Sequence, residues 1–329
     1  MELDVIGLKS KKIFKSTLSA CLLGVALSIK QFKKISISII KKGINKEDFV
    51  TCTDLWHNYG DLGNQLFKYA LIRKYSFKYG VPVLLPEPNT HRLSELNIQC
   101  EYYDKYILEL YSNNKYKERQ FHYSASALSY AKKKDFYGFF QTEKYFKDIR
   151  QILQNELQLA DYEKEKKAIE KINLIRQNFP GKEIVSIHVR RGDYVPSSKP
   201  YSDGITNYSP DRHLRHPLMS ADYFQSAAAR FKNVVYIVFS DNHDDIEWCK
   251  KNLNIKDAIY THNEDLVDFK MMQFSDHNII SNSSFSWWAA WLNNNDKKRI
   301  ISPKKENWLG EFYAHYNMTD LLPETWEQL

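Results

Sequence analysis

Between residues 184 and 302, short apolar runs alternate with longer amphipathic segments, and a chain patterned this way has little choice but to build a parallel sheet. IVSIHV (184–189), VVYIVFS (234–240), AIY (258–260), NIIS (278–281) and RIIS (299–302) have the length and β-branched content of buried strands. Helical stretches separate them: ADYFQSAAARF (221–231), DDIEWCKKNL (244–253), DLVDFKMMQFS (265–275) and SWWAAWLN (286–293). Strands joined through helices pair in parallel and are covered on both faces, which predicts a Rossmann-like domain. The first half is a less regular α/β unit. DFVTCTDLW (48–56) and VPVLLP (81–86) read as strands around a helix that opens at NYGDLGNQ (58–65), and Phe139 and Phe140 end another apolar stretch. The charged segment 161–178 reads as a helix linking the halves. A chain of 329 residues, 43% hydrophobic, has material for two such domains. The predicted boundaries are 1–48, 49–180 and 181–329.

The formal charge of +7 suggests a nucleic-acid or membrane partner until it is located. Residues 1–46 hold ten lysines, no arginine and two acids, Glu2 and Asp4, a balance of +8 that leaves the rest of the chain at −1. A near-neutral body lacks the concentrated basic face that a phosphate backbone requires, so no nucleic acid is expected. Within the extension, the apolar residues from Thr17 to Ile29 fall short of the roughly 20 needed to span a bilayer. A basic helix lying on an anionic membrane surface and a helix packed on the body are both open readings. Cys21, Cys52, Cys100 and Cys249 form no CxxC pair, as expected of buried thiols in a reducing compartment. His213 and His216 stand alone, no HExxH occurs, and no metal is expected. The composition, rich in Lys, Asn and Ile, fits a bacterial cytoplasmic enzyme, peripheral at the inner face of the membrane if the extension binds there.

The strand IVSIHV runs directly into RRGDYV. Ligands of open parallel sheets bind beyond the carboxyl ends of the strands, which is where Arg190 and Arg191 fall. A guanidinium keeps its charge and offers a planar fork matched to phosphate oxygens. Successive side chains alternate across the strand, so one arginine faces a ligand and the other pairs with Asp193 or with the partner domain. A structural Arg–Asp pair is the alternative. In HNIISNSSFSWWAAWLN (277–293), Asn282, Ser283 and Ser284 sit between a strand and a helix start, either as plain caps or as a phosphate site. Two candidate phosphate sites at one sheet edge together suggest a diphosphate. Trp287, Trp288 and Trp291 read as helix packing. Asp241 and Asp268 stand where acceptors for a ribose or base would be useful. In YGDLGNQLFKYA (59–70), Gly60 and Gly63 flank a turn and Asn64 opens a helix with a polar amide. The long polar stretch 196–217 leaves the arginine strand as a substrate-covering loop. GxxxxGK[ST], a dinucleotide fingerprint and an Asp-x-Asp triplet are all missing from the sequence.

Taken in order, GDLGNQLFKYA, GFFQTEKYF (138–146), HVRRGDYV, VFSDN and DFKMMQFSDHNIISNSSFSWWAAWL resemble the blocks of the α-1,2-fucosyltransferase family, glycosyltransferase family 11. The arginine block alone is shared with α-1,6- and protein O-fucosyltransferases, whereas the ordered set is more specific. The resemblance covers roughly residues 51–329. It implies a GT-B architecture, with two Rossmann-like domains facing a cleft, acceptor side first and GDP-fucose side second. It also implies inverting, metal-independent transfer of L-fucose to the 2-hydroxyl of a terminal galactose, as in surface polysaccharide synthesis. Arg190 would grip the donor β-phosphate, and His188, Arg191 and Asp193 would shape the same site. Asn282, Ser283 and Ser284 would hold phosphate, Asp268 would read guanine and Asp241 would lie near the nucleotide. Asp61 departs from the Gly or Arg usual in the family, and Asp61 and Asp193 are both candidates for the acceptor's proton. Other linkages, such as α-1,6 transfer, and an inactive sugar-nucleotide-binding protein remain the alternatives.

Overall fold

The computed structural model describes residues 46–55, 61–195 and 212–329, and from Asp48 onward the chain is one compact unit. Its first sheet holds β1 (Val50–Thr51), β2 (Val83–Leu85), β3 (Glu101–Tyr102), β4 (Asn114–Lys117) and β5 (Lys134–Tyr137). All pair in parallel, in the order β3-β2-β1-β5-β4. Only two residues of the stretch 48–56 join this ladder. Side chains take over immediately after: the Thr53 amide and hydroxyl donate to the Asp135 carboxylate at 2.9 and 2.8 Å. Lys68 then binds the carbonyl and carboxylate of Asp54 at 2.8 and 3.1 Å. Helix α1 (Leu62–Tyr79) starts at Asp61, whose carboxylate accepts from the Leu62 amide, and stops at Gly80 in the left-handed region.

Short helices α2 (Lys105–Tyr111) and α3 (Arg150–Glu156) precede the linking helix α4 (Tyr162–Asn178), which matches the charged 161–178 segment. The second half then alternates as its sequence predicts. It runs through β6 (Glu183–Val189), α5 (Ala221–Ala228), β7 (Val234–Ser240), α6 (His243–Asn252), β8 (Ala258–Thr261), α7 (Asp265–Phe274), β9 (His277–Ile279), α8 (Ser284–Leu292) and β10 (Ile300–Ser302). A C-terminal strand, β11 (Glu327–Gln328), closes the edge, giving the all-parallel order β11-β10-β9-β6-β7-β8. Two helix-covered parallel sheets make this an α/β protein of GT-B type.

Strand β7 is apolar almost throughout, and β6 apart from Glu183, Ser186 and His188, because both faces are buried. Ile184, Val235, Ile237 and Phe239 enter one core, and Val185, Ile187, Val189, Val234, Tyr236 and Val238 enter the other. Each fully buried aliphatic side chain contributes about 1.5–3 kcal/mol. The first core is continuous from the first sheet to α8. Trp287 and Trp288 are fully buried and meet Phe67 of α1 at centroid distances of 4.5 and 5.1 Å, and Phe146 stacks on Trp288 at 5.2 Å. The tryptophan run is therefore packing. Cys52 and Cys249 are buried free thiols. Among the described residues no helix is long and apolar enough to cross a membrane, and the lysine-rich extension up to Asn45 lies outside them.

The start of α1 presses on the start of α8. A Cβ on Gly63 would lie 2.5 Å from the Ser284 carbonyl carbon and 2.6 Å from the Phe285 nitrogen, and backbone atoms cannot step aside as a side chain can. Gly63→Val is expected to lose about 1–3 kcal/mol of stability, the usual cost of overpacking. Urea unfolding followed by circular dichroism checks this, with native helix content retained before the transition. An unchanged midpoint would mean that the two helix starts can separate freely.

Candidate active site

The second sheet reverses direction of growth at β6: the chain proceeds outward through β7 and β8, then returns to place β9 on the other side. The loops after β6 and β9 diverge at such a point and leave a crevice above the carboxyl ends. Alternation on β6 puts Ser186, His188 and Arg190 on the face toward α8. His188 Nδ1 lies 3.2 Å from Ser281 Oγ across the crevice, and its ring is 5.9 Å from Phe285.

Arg190 is gripped by two carboxylates. Nη2 donates to Asp193 at 2.7 Å and Nη1 to Asp241, while the guanidinium lies 5.1 Å from the Tyr194 ring. Burial opposes its charge, but Asp241 and Asp193 more than offset that and raise its pKa. Asp193 thus pairs with the arginine on the crevice face rather than with its neighbour. Arg191 points across the sheet, where Nε donates to Asp245 at 3.2 Å and the guanidinium covers Trp248 at 3.8 Å. The turn is held from below: Asp241 accepts the Arg191 amide at 2.8 Å and Asp245 accepts the Gly192 amide at 3.0 Å. Gly192 has φ +29, and a Cβ there would stand 3.0 Å from the Asp241 carboxyl carbon, so glycine lets the turn and this carboxylate share the space.

After β9 the chain passes Asn282 and Ser283 into α8. Ser283 makes no side-chain capping bond, which leaves the first turn of this helix without a side-chain cap. Asn282 is buried. Its Nδ2 donates to the carbonyls of Pro217 and Trp308, and its Oδ1 has no partner among the described residues. Asp268, on α7, accepts from the Asn263 side chain at 2.6 Å and its amide at 3.2 Å, and burial pushes its pKa up to about 6 against those bonds. From the first half, Asn64 Oδ1 accepts from Gln141 Nε2 at 2.6 Å. Asp61 caps α1 and pairs with Arg92 at 3.2 Å, and Arg92 reaches Asp265 of α7 at 2.5 Å. Residues 196–211 of the expected covering loop lie outside the described residues.

Sequence reading did not single out Asp245, Trp248, Ser281 or Arg92. Asp245 had a local signal, since it lies three residues after Asn242, the α6 cap, whose Oδ1 accepts its amide at 2.9 Å. Trp248, Ser281 and Arg92 meet their partners Arg191, His188 and Asp265 only through the tertiary fold. Among the described residues no group of three or more His, Cys, Asp or Glu side chains converges as metal ligands.

The family model for Glycosyl transferase family 11 matches residues 58–317, which takes in every element of this crevice. The chain belongs to that family. It is 33% identical over 213 residues to an alpha-1,2-colitosyltransferase of Escherichia coli, covering 59% of this chain and 62% of that one. To the O-antigen biosynthesis glycosyltransferase WbnK of Escherichia coli it is 32% identical over 153 residues, 44% of each chain. To human galactoside alpha-(1,2)-fucosyltransferase 1 it is 28% identical over 160 residues, 46% of this chain and 41% of that one. The chain thus spans between about two-fifths and three-fifths of these relatives. Among solved structures, a NodZ alpha-1,6-fucosyltransferase soaked with GDP-fucose aligns with 80% of this chain and 97% of its own, at 12% identity and a TM-score of 0.45.

In this family 11 glycosyltransferase, burial pushes His188 down to about 4, with Asp241 opposing and Arg190 assisting the shift. An unfolded histidine takes its proton near pH 6.5, so between the two values the unfolded state binds more protons and is favoured as pH falls. Stability is expected to be full above about pH 6.5 and to decline by about 3 kcal/mol toward pH 4 on this account. Urea midpoints across that range, for wild type and His188→Gln, test it. A slope that the substitution does not flatten would show that the imidazole is not what is held neutral.

Proposed function

We propose that this glycosyltransferase moves L-fucose from GDP-fucose to the 2-hydroxyl of a terminal galactose, with inversion and without a metal ion. The observation that carries the reading is the fixed guanidinium of Arg190 at the reversal point of a parallel sheet, opposite a helix start with no side-chain cap. Both are suited to a leaving diphosphate, whose charge grows as the sugar–phosphate bond breaks. As the diphosphate takes the guanidinium, Asp193 gives up its share of it and becomes the acceptor for a proton. The acceptor hydroxyl passes its proton to Asp193 and its oxygen bonds to the anomeric carbon. The bond from that carbon to the β-phosphate oxygen breaks, and GDP leaves with the electron pair. Asp61 has no part in this step, being engaged by the first turn of α1 and by Arg92. His188, neutral and bonded to Ser281, spaces β6 from β9, while Asp241, Arg191 and Asn64 hold the surrounding turns. Asp268 would accept from the guanine edge in place of Asn263. A role in surface polysaccharide synthesis is supported by the O-antigen relative. Contact of residues 1–46 with the inner membrane face rests on their charge alone. A second donor, GDP-colitose, is favoured by the 33% identical colitosyltransferase.

GDP release from GDP-fucose and from GDP-colitose, with lactose and EDTA present, decides between donors. Arg190→Ala is expected to slow turnover on the preferred donor at least a hundredfold, about 3–4 kcal/mol of barrier. Lactose-independent release, or a variant as fast as wild type, would discard the reading. GDP affinity is expected to weaken below pH 6, as the Asp268 carboxylate takes up its proton. Asp268→Asn should bind GDP weakly with no such step in calorimetric titrations.

A further inference from the structure

The first sheet has its own point of reversal, between β1 and β5, and the side chains gathered there take no part in the chemistry just described. Glu118 follows β4 at this carboxyl edge. Its Oε2 accepts the amides of Phe139 and Phe140 at 2.7 and 3.0 Å, and its Oε1 takes no hydrogen bond from the described residues. The chain bends sharply to deliver those amides: Gly138 has φ 142 and Phe140 φ 53. A Cβ on Gly138 would come within 2.4 Å of the Glu118 Cβ. Phe140, a non-glycine residue at positive φ, is strained, and such strain persists where the surroundings enforce it, commonly at binding sites. Asp54, three residues past β1, accepts the Gly138 amide at 3.3 Å and holds Lys68, whose ammonium lies 5.6 Å from the Phe139 ring.

A run of rings, partly exposed from Phe139 to His216 and ending at buried Tyr194, joins this edge to the arginine site. Phe139 meets Phe121 at 6.2 Å, Phe121 stacks on Tyr316 at 4.4 Å and meets Tyr313 at 5.9 Å. Tyr313 lies 6.3 Å from His216, which stacks at 4.8 Å on Tyr194, the ring beneath Arg190. A pyranose has an apolar C–H face and a hydroxyl rim, so a strip of rings ending at an open carboxylate oxygen matches a chain of sugars. The strip is longer than one sugar ring, and it begins where the transferred sugar must meet its acceptor.

We propose that this strip is the acceptor subsite: glycan rings beyond the terminal galactose lie along Tyr313, Tyr316, Phe121 and Phe139, and Glu118 Oε1 accepts from a hydroxyl of a distal sugar. The assignment deepens the reading of the chain as a sugar transferase and makes it prefer extended acceptors. Saturation-transfer NMR on the full chain without donor, using lactose and the galactose-terminated tetrasaccharide lacto-N-tetraose, tests it apart from the donor. Transfer to the tetrasaccharide's distal rings is expected in wild type, weakened in Phe139→Leu, Tyr316→Leu and Glu118→Gln, and kept in Phe139→Tyr. The tetrasaccharide KM should rise about tenfold in the first three, the scale of one lost stacking or hydrogen-bonding partner, with the thermal midpoint and GDP affinity unmoved. Absence of distal-ring transfer in wild type, or variants that bind the tetrasaccharide as wild type does, would overturn the proposal. GDP-fucose binding, measured by calorimetry, reports on the donor reading alone.

Discussion

A guanidinium at the end of a buried strand is tolerable only with counter-charges, and the pairing of Arg190 with Asp193 and Asp241 governs the architecture around it. Asp241 serves two masters, since it also receives the Arg191 amide. Removing it would loosen both the arginine and the turn. Because Gly192 admits the carboxylate so close, the turn can drop under the strand end instead of arching over it. The arginine is thus pre-positioned, and little ordering is left for the moment of binding.

Around that centre the two sheets are tied by different forces. Deep down, the aromatic contact of α1 with α8 excludes water and is insensitive to salt. Nearer the surface, Arg92 spans Asp61, Glu95 and Asp265, an ionic link whose strength depends on exposure and ionic strength. Phe67, Trp287 and Trp288 pack α1 against α8, while Arg92 ties the start of α1 to the start of α7.

The second half was legible because its central strands β6, β7, β9 and β10 are buried on both faces, so hydrophobicity alone marks them and the helices between. An arginine pairing with Asp193 was legible too, but it was expected of the arginine turned away from the ligand, with the partner domain as the alternative, whereas Arg190 on the crevice face takes it. The edge strands β3, β4 and β11 were not, since Glu101, Asn114, Lys115 and Glu327 show solvent-facing residues with no apolar signature. Nor was the early end of β1: Thr53 and Asp54 look like strand residues, and it is Asp135 and Lys68, distant in sequence, that capture their polar groups. Glu118 illustrates the general difficulty. Its surroundings in sequence, YKERQF, suggest a solvated loop, and only the fold of Gly138–Phe140 over it makes it a desolvated carboxyl, its pKa pushed up to about 7 by burial.

The continuous core described above also bears on how such a chain can be divided. Phe67 belongs to the first half and Trp287 and Trp288 to the second, yet neither half can bury these rings alone. Separating them would expose a broad apolar face on each piece and invite aggregation. Although two sheets suggest two modules, folding and unfolding are joined across them, and recombination that exchanges one half between relatives must carry the matching aromatic surface of α1 or α8 with it.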